Sequence, residues 1–195
     1  SDKCYDNVEW EWGYRENDAL GGPDPYSASK GAAELAIRSY VKSYFSGEDN
    51  SVRIASARAG NVIGGGDWAA NRIVPDCVKS WSKNEIVELR NPHSTRPWQH
   101  VLEPLSGYII LAESLFNKKN DKIETNWNVG PNISSCKSVK YIAEKFSKNS
   151  NCKIEVIKIK NKNIKSETDL LKLSNHKSKK YLKWHPKWNL KNTIC

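Results

Sequence analysis

The chain has 195 residues, of which 38% are hydrophobic and 27% charged, and no apolar run reaches the roughly 18 residues that would predict a membrane span or membrane partner. Its five cysteines form no C-x-x-C pair, which argues against a zinc site, any other metal site or a disulfide framework and favours a cytoplasmic location. The net charge of +9 comes from the second half, since residues 1–100 hold 12 Lys and Arg against 14 Asp and Glu, whereas residues 101–195 hold 19 against 8.

Helices and strands are predicted to alternate along the chain. A helix over 26–46 is expected because apolar residues recur at helical spacing from Ala33 to Tyr44, and Pro25 suits its first turn. The later predicted elements are, in chain order, a strand at 52–57, a glycine-rich loop at 59–70, a helix at 71–83, strands at 86–89 and 96–101, a well-buried helix at 103–116, a strand at 127–130, a helix at 138–148, a strand at 154–159 and a short helix at 181–184. This alternation indicates an α/β fold.

Tyr26 and Lys30 form the first motif that suggests chemistry. Residues four apart on a helix share a face, so the Lys30 ammonium is expected near the Tyr26 phenol. A cation at that position favours the tyrosinate, which can act as a base and take a proton from a hydroxyl group. The pair alone is a weak motif, because the same spacing also arises by chance on solvated helices.

A run of three glycines followed by Asp67 and Trp68 lies in the predicted loop at 59–70. Consecutive glycines let backbone amides approach an anion closely. The spacing is not that of the G-x-G-x-x-G dinucleotide fingerprint, and an ordinary flexible loop is the alternative.

The segment from Arg96 to Val101 carries an Arg-x-Trp-x-His-Val pattern. A guanidinium binds phosphate in a bidentate manner, which makes Arg96 a candidate for an anionic ligand. We expect His100 to be a packed or hydrogen-bonded structural residue, and Trp98 to lie in the core or in a wall of the site.

Together these motifs resemble the extended short-chain dehydrogenase/reductase family, whose NAD-dependent members epimerise or dehydrate nucleotide sugars. The resemblance rests on the spacing of 25 residues from Ser1 to Tyr26, on the glycine block and on the Arg96 pattern. It implies the C-terminal part of a Rossmann-type parallel sheet that binds NAD, together with a smaller α/β substrate-binding lobe. Residues 1–60 and 101–130 would belong to the Rossmann domain, and 61–100 and 131–195 to the lobe.

The resemblance also implies roles for five residues near the start of the chain. Ser1 would hydrogen-bond the sugar 4-hydroxyl, Tyr26 would be the base, and Lys30 would tune it and contact the nicotinamide ribose. In the 4,6-dehydratases of the family, an acid and a base eliminate water across C5 and C6. Asp2 would be that acid and Lys3 the base at C5.

Substrate binding and assembly follow from the same resemblance. Asn61 would contact the nucleotide sugar, Arg96 would hold its diphosphate, and Arg72 is a further candidate for a phosphate or base contact. Lys3 and the Gly-Gly-Gly-Asp-Trp run resemble the branch that converts CDP-glucose to CDP-4-keto-6-deoxyglucose, a lyase step in deoxysugar and lipopolysaccharide O-antigen synthesis. A homodimer through the Tyr26 helix would be expected.

Three alternatives stay open at this stage. A dTDP-glucose 4,6-dehydratase or a nucleotide-sugar epimerase would share the fold, although an epimerase has no need of the Asp2–Lys3 pair. A non-catalytic basic protein that binds nucleic acid would use the lysine-rich last third. A solvated lysine-rich surface explains that charge more simply, and no RNP-type stacking motif accompanies it, so we expect no nucleic-acid partner.

Two departures from the family pattern also lead to expectations. The chain begins at Ser1, has no methionine and lacks the family's G-x-x-G-x-x-G turn, so we expect a C-terminal fragment that binds NAD weakly and turns over little on its own. The segment from Leu182 to Pro186 matches the family's C-terminal L-G-W-x-P motif, with Lys183 in place of the glycine, and Ser174-Asn175 stands where the family has an acidic residue. We therefore expect a divergent C-terminal substrate lobe.

Overall fold

The computed structural model describes residues 1–46, 51–89, 91–117, 125–150, 154–155 and 168–194. Its helices are α1 (Pro25–Tyr44), α2 (Ile73–Ser82), α3 (Leu102–Phe116), α4 (Val139–Ser150) and α5 (Leu190–Ile194), with 3-10 turns at Asp2–Cys4 and Ile133–Ser135 and a π-helical turn at Ser178–Leu182. Its strands are β1 (Ser56–Ala59), β2 (Asn61–Ile63), β3 (Val87–Glu88), β4 (Thr95–His100), β5 (Asn126–Val129), β6 (Cys136–Ser138) and β7 (Ile154–Glu155).

Parallel pairing dominates the strands. β1 and β5 run parallel, with Ser56 opposite Asn126 and Ala59 opposite Val129. β4 lies between β2, to which it is parallel, and β6, to which it is antiparallel. β3 and β7 form a short parallel pair. Helices that connect parallel strands confirm the predicted α/β class, whereas the predicted division into two domains stays a prediction.

The start of helix α1 is fixed by Asp24 and Pro25. The Asp24 carboxylate accepts hydrogen bonds from the backbone N–H groups of Tyr26 and Ser27, both at 3.0 Å. These bonds satisfy two donors that the first helical turn leaves without partners, and Pro25 has no N–H to satisfy. The predicted start at residue 26 is therefore confirmed to within one residue, and the helix ends at Tyr44 rather than at 46.

The structure corrects two strand predictions. The strand expected at 52–57 begins only at Ser56, and the loop expected at 59–70 contains β2. Ile63 of β2 is buried, and Asn61 pairs with Trp98 of β4. This pairing depends on a distant part of the chain, so the local glycine content hid it. Of the strand expected at 154–159, only β7 lies within the described residues.

Helix α3 is less buried than its apolar composition suggested. One face packs on β5 and on Trp184, and Gly107 allows close approach to Val129. The opposite face leaves large apolar side chains exposed, including Ile109 and Phe116. A helix that is apolar on most faces does not reveal from its sequence which face packs, and the expectation of full burial was wrong.

The beginning and the end of the chain pack together. Tyr14 donates its N–H to Lys172 O at 3.0 Å and accepts from Ser174 N at 2.9 Å. Tyr5 and Tyr14 share a buried apolar cluster with Leu171 and Leu173. The C-terminal segment thus lies against the segment that follows Asp2. In the described ranges no helix is both long and apolar enough to cross a membrane.

Candidate active site

Two segments carry the five predicted catalytic residues, and they pack directly on each other. A Cβ added at Gly31 of α1 would lie 2.7 Å from Gly21 N and 3.3 Å from Cys4 O, so only glycine permits this approach. Gly21 N donates to Cys4 O at 2.9 Å, and Tyr5 pairs with Leu20. The Asp2–Cys4 turn is therefore fixed against the helix that carries Tyr26 and Lys30.

Tyr26 and Lys30 lie on one face of α1, as their spacing requires. The Lys30 Nζ is 5.4 Å from the centre of the Tyr26 ring. Tyr26 is 56% exposed and Lys30 is also exposed, so the pair faces an open side of the structure. The phenol is accessible to a substrate hydroxyl with a cation beside it, and its catalytic role stays a prediction.

Asp2 is a buried carboxyl with an unsatisfied oxygen. It is 5% exposed, and in the part of the chain that the structure describes its Oδ2 has no hydrogen-bond partner. Burial raises the pKa of Asp2 from 3.8 to about 6, although the charges of Lys3 and Arg96 oppose that shift. A carboxyl with this pKa holds its proton at mildly acidic pH and can donate it.

Ser1 and Lys3 flank this carboxyl. The Ser1 Oγ accepts a hydrogen bond from Lys3 N at 3.2 Å and begins the 3-10 turn. The Lys3 Nζ donates to Thr168 Oγ1 at 3.5 Å. Sequence reasoning missed Thr168, because no local signal connects residues that lie 165 positions apart.

The three predicted substrate ligands occupy different surroundings. Arg96 is buried in β4, where its Nη1 donates to Thr95 O at 2.9 Å, and its charge acts on the Asp2 carboxyl. Asn61 is half-buried in β2. Arg72 precedes α2 and is mostly exposed, with its Nη1 3.7 Å from Asp67 Oδ2. The structure brings Arg96 towards Asp2 and leaves Arg72 at the surface beside the glycine run.

Comparison with known proteins shows to which family the chain belongs. The family model described as GDP-mannose 4,6 dehydratase matches residues 1–195, which is the whole chain. The chain belongs to this dehydratase family. A CDP-glucose 4,6-dehydratase from Salmonella typhimurium is 47% identical over 197 residues, a match that covers 100% of this chain and 54% of the relative. The chain therefore spans about half the length of that relative.

Solved structures confirm the fold of this dehydratase-family chain. A dTDP-glucose 4,6-dehydratase from Bacillus anthracis in complex with NAD superposes with a TM-score of 0.80 at 19% identity, over 100% of this chain and 57% of the other. A UDP-glucuronic acid 4-epimerase mutant from Bacillus cereus gives 0.78 at 16% identity, over 100% and 57%. At these identities the likeness establishes the Rossmann-type α/β fold alone.

His100 and Trp98 have structural roles in this dehydratase-family chain. The His100 Nδ1 accepts from Leu102 N at 3.2 Å, and its ring lies 4.4 Å from that of Trp188. Trp98 is buried, and its indole N–H donates to Lys137 O at 2.8 Å. Both side chains use their polar atoms within the fold, which confirms the expectation from the sequence.

A buried network that sequence reasoning missed lies beneath the site of this dehydratase-family chain. Arg58 of β1 forms a salt bridge with Glu34 of α1 at 2.7 Å and also donates to the Tyr5 hydroxyl at 2.8 Å. Burial favours the neutral form of Glu34, but the hydrogen bond and charge of Arg58 outweigh it and lower the pKa of Glu34. A glutamate four residues after Lys30, on the face that α1 buries, was the available signal.

Proposed function

We propose that this chain carries the catalytic residues of an NAD-dependent nucleotide-sugar 4,6-dehydratase that acts on CDP-glucose. The observation that supports this most strongly is the buried Asp2 carboxyl, with its pKa of about 6, on a turn packed against the Tyr26–Lys30 helix. Elimination of water requires an acid beside the tyrosine base, whereas epimerisation does not. The identity of 47% to a CDP-glucose 4,6-dehydratase supports CDP-glucose as the substrate.

In the first stage, Tyr26 takes the proton of the sugar 4-hydroxyl. Lys30 lies on the same face of α1, with its ammonium 5.4 Å from the centre of the Tyr26 ring. Ser1 hydrogen-bonds the same hydroxyl and orients it. The exposed Tyr26–Lys30 face leaves room for a nicotinamide ribose, so these residues fit NAD. When bound, NAD accepts a hydride from C4 and later returns it to C6.

In the second stage, the residues of the Asp2–Cys4 turn expel water from the 4-keto sugar. Lys3 removes the proton on C5, which the C4 ketone has made acidic, and returns a proton to C5 when C6 receives the hydride. Asp2 gives its proton to the hydroxyl on C6 as the C6–O bond breaks, so that water leaves. A carboxyl with a pKa of about 6 is a better proton donor near neutral pH than an ordinary aspartic acid, which is almost fully ionised there.

Arg96, Asn61 and Arg72 serve the nucleotide end of the substrate in this proposal. Arg96 binds the diphosphate, because a guanidinium can hold two phosphate oxygens at once. Asn61 on β2 contacts the sugar diphosphate, and Arg72 contacts a phosphate or the base. The product is a CDP-4-keto-6-deoxy sugar for deoxysugar synthesis in the cytoplasm.

We further propose a homodimer through α1. Large apolar side chains on this helix are exposed, among them Ile37, Tyr40 and Tyr44. Burying such a row against a second copy would remove it from water. Sedimentation of the protein should show a dimer. Tyr40→Glu should dissociate this dimer, whereas Tyr181→Glu, which changes an exposed tyrosine outside α1, should leave it intact. A dimer that persists in Tyr40→Glu would exclude this interface.

The test of the reaction uses the chain alone and a chimera in which it replaces the matching 54% of the Salmonella typhimurium relative. Each is given NAD and, separately, CDP-glucose, dTDP-glucose and GDP-mannose, and the products are weighed by mass spectrometry. We expect the chimera to remove one water from CDP-glucose alone. Tyr26→Phe should abolish this reaction, and Tyr181→Phe should not.

The other outcomes of this assay have definite meanings. Water loss from a different sugar nucleotide would keep the mechanism and refute the substrate. Conversion of a sugar nucleotide to an epimer without loss of water would refute the dehydratase and favour an epimerase. Measurable NAD affinity of the chain alone would contradict the expectation that it binds NAD weakly.

A further inference from the structure

A continuous line of buried hydrogen bonds joins the two catalytic segments. Arg58 is 0% exposed, and its Nη2 donates to Glu34 Oε2 at 2.7 Å. Its Nη1 donates to the Tyr5 hydroxyl at 2.8 Å, and that hydroxyl donates to Asn128 Oδ1 at 2.7 Å. The guanidinium also lies over the Tyr5 ring, 5.0 Å from its centre. The guanidinium is planar and rigid, so its two hydrogen bonds hold Glu34 and Tyr5 in a fixed position relative to each other.

The two ends of this line are close to the catalytic groups. Glu34 lies one turn after Lys30 on α1, on the face buried together with Ser27 and Gly31, which adjoins the exposed face that carries Tyr26 and Lys30. Tyr5 closes the turn that carries Asp2 and Lys3, and its N–H donates to Asp2 O at 3.5 Å. A shift of the Tyr5 hydroxyl would therefore move the turn relative to α1.

The geometry points to the Tyr5 hydroxyl and Arg58 as positioning residues that align the Asp2–Lys3 pair with Tyr26. This inference rests on the proposed function. In that function, Tyr26 acts at C4 and the turn acts at C5 and C6 of one bound sugar, so the two segments must keep a fixed relation through both stages. Burying a cation such as the Arg58 guanidinium costs free energy. Arg58 bonds to Glu34 of α1 and to Tyr5 beside the turn, so it links the two segments that must stay aligned.

Removing the Tyr5 hydroxyl should affect the two stages unequally. In Tyr5→Phe, the Arg58–Glu34 salt bridge still holds α1, and the close contact at Gly31 still keeps the turn packed on α1, so the fold is retained and oxidation at C4 continues. In that step the C4 hydrogen leaves as hydride to NAD and the hydroxyl proton goes to Tyr26. The turn loses its link to Arg58 and Asn128, so elimination across C5 and C6 becomes slower. The 4-keto sugar that still carries its C6 hydroxyl should accumulate.

Tyr14→Phe is a matched control for Tyr5→Phe. Tyr14 is 2% exposed and Tyr5 is 1% exposed, and their rings stack with centres 5.1 Å apart. The Tyr14 hydroxyl also makes two hydrogen bonds, accepting from Val8 N at 2.7 Å and donating to Asn7 Oδ1 at 2.9 Å. Its bonds stay within one loop and do not reach Arg58. Both variants lose a buried hydroxyl from the same core cluster.

The first measurement is a single turnover of the chimera with CDP-glucose, stopped at intervals and analysed by mass spectrometry. Tyr5→Phe should raise the ratio of undehydrated 4-keto sugar to final product about tenfold, less than the roughly hundredfold cost of a 1 Å misplacement, because the contact at Gly31 still limits the movement of the turn. Tyr14→Phe should keep the wild-type ratio despite a similar loss of thermal stability. Equal ratios in the two variants would overturn the positioning role, whereas a wild-type chimera that removes no water would overturn the proposed function.

A second measurement does not depend on turnover. Amide hydrogen exchange of the 195-residue chain reports the backbone bonds of the Asp2–Cys4 turn, in which Cys4 N donates to Ser1 O and Tyr5 N to Asp2 O. These amides should exchange faster in Tyr5→Phe than in Tyr14→Phe. Equal exchange rates in the two variants would show that the Tyr5 hydroxyl does not hold the turn, and the inference would be wrong.

Discussion

The Arg58–Glu34 salt bridge allows a stability prediction whose size follows from burial. Glu34→Gln removes the charge but keeps the length of the side chain and an oxygen that accepts from Arg58 and Ser56, as Glu34 Oε2 does now. The Arg58 side chain is 0% exposed and that of Glu34 is 10% exposed. The substitution therefore leaves a cation in the core without its counter-ion.

Removing one partner of a buried ion pair lowers the free energy of unfolding by about 3–5 kcal/mol. We expect about 3 kcal/mol for Glu34→Gln, because the glutamine keeps an oxygen that accepts from Arg58. With a urea slope of about 2 kcal/mol per molar for a small domain, the unfolding midpoint should fall by about 1.5 M. Glu144→Gln is the control, because Glu144 and Lys140 form an exposed pair at 3.7 Å on α4. Exposed pairs of this kind contribute only about 0–1 kcal/mol.

Urea unfolding of the 195-residue chain, followed by circular dichroism, gives both midpoints. The pH dependence adds a check, because Arg58 lowers the pKa of Glu34 below its usual 4.5. The salt bridge therefore contributes its full stability above pH 4.5, and this contribution is lost as the pH falls through the lower pKa of the folded chain. The gap between wild type and Glu34→Gln should narrow in acid. Equal midpoints for Glu34→Gln and Glu144→Gln would refute the reasoning.

Three further predictions concern single positions. Burial raises the pKa of Asp2 from 3.8 to about 6, so ionisation of Asp2 destabilises the folded chain as the pH rises through that range. Asp2→Asn should therefore raise the free energy of unfolding by about 3 kcal/mol at pH 7 and leave it unchanged below pH 3.8, while the dehydration activity is lost. An unchanged urea midpoint at pH 7 would contradict this. Gly31→Ala should lower the melting temperature because its Cβ would meet Gly21, whereas Gly65→Ala, with open space around it, should not; equal melting temperatures would contradict it. Lys183 has φ +55°, so Lys183→Gly should stabilise the fold by about 1 kcal/mol and thereby raise the urea midpoint. A lower midpoint would exclude strain at this position.

The features that the sequence predicted correctly depend on local geometry. The Tyr26–Lys30 proximity follows from helical spacing, and the start of α1 was predicted from Pro25. The structure adds the Asp24 cap, which the sequence analysis did not name.

The features that the sequence did not reveal depend on packing between distant segments. Nothing near residue 61 shows that β2 pairs with β4, and nothing near Lys3 indicates Thr168. The exposed face of α3 and the contact of Arg58 with Glu34 likewise depend on which surfaces meet. Burial then sets the Asp2 pKa, which is why the residue type alone did not give it.

The proposed reaction moves one hydrogen from C4 to C6 within a single sugar, and an isotope label follows that hydrogen directly. The measurement is one incubation of the chimera with NAD and CDP-glucose deuterated at C4, followed by mass spectrometry and nuclear magnetic resonance of the product. We predict a 4-keto-6-deoxy product that has lost one water and carries the deuterium on C6. Deuterium that remains on C4, or a product that has lost no water, would contradict a 4,6-dehydration by Tyr26, Asp2 and Lys3.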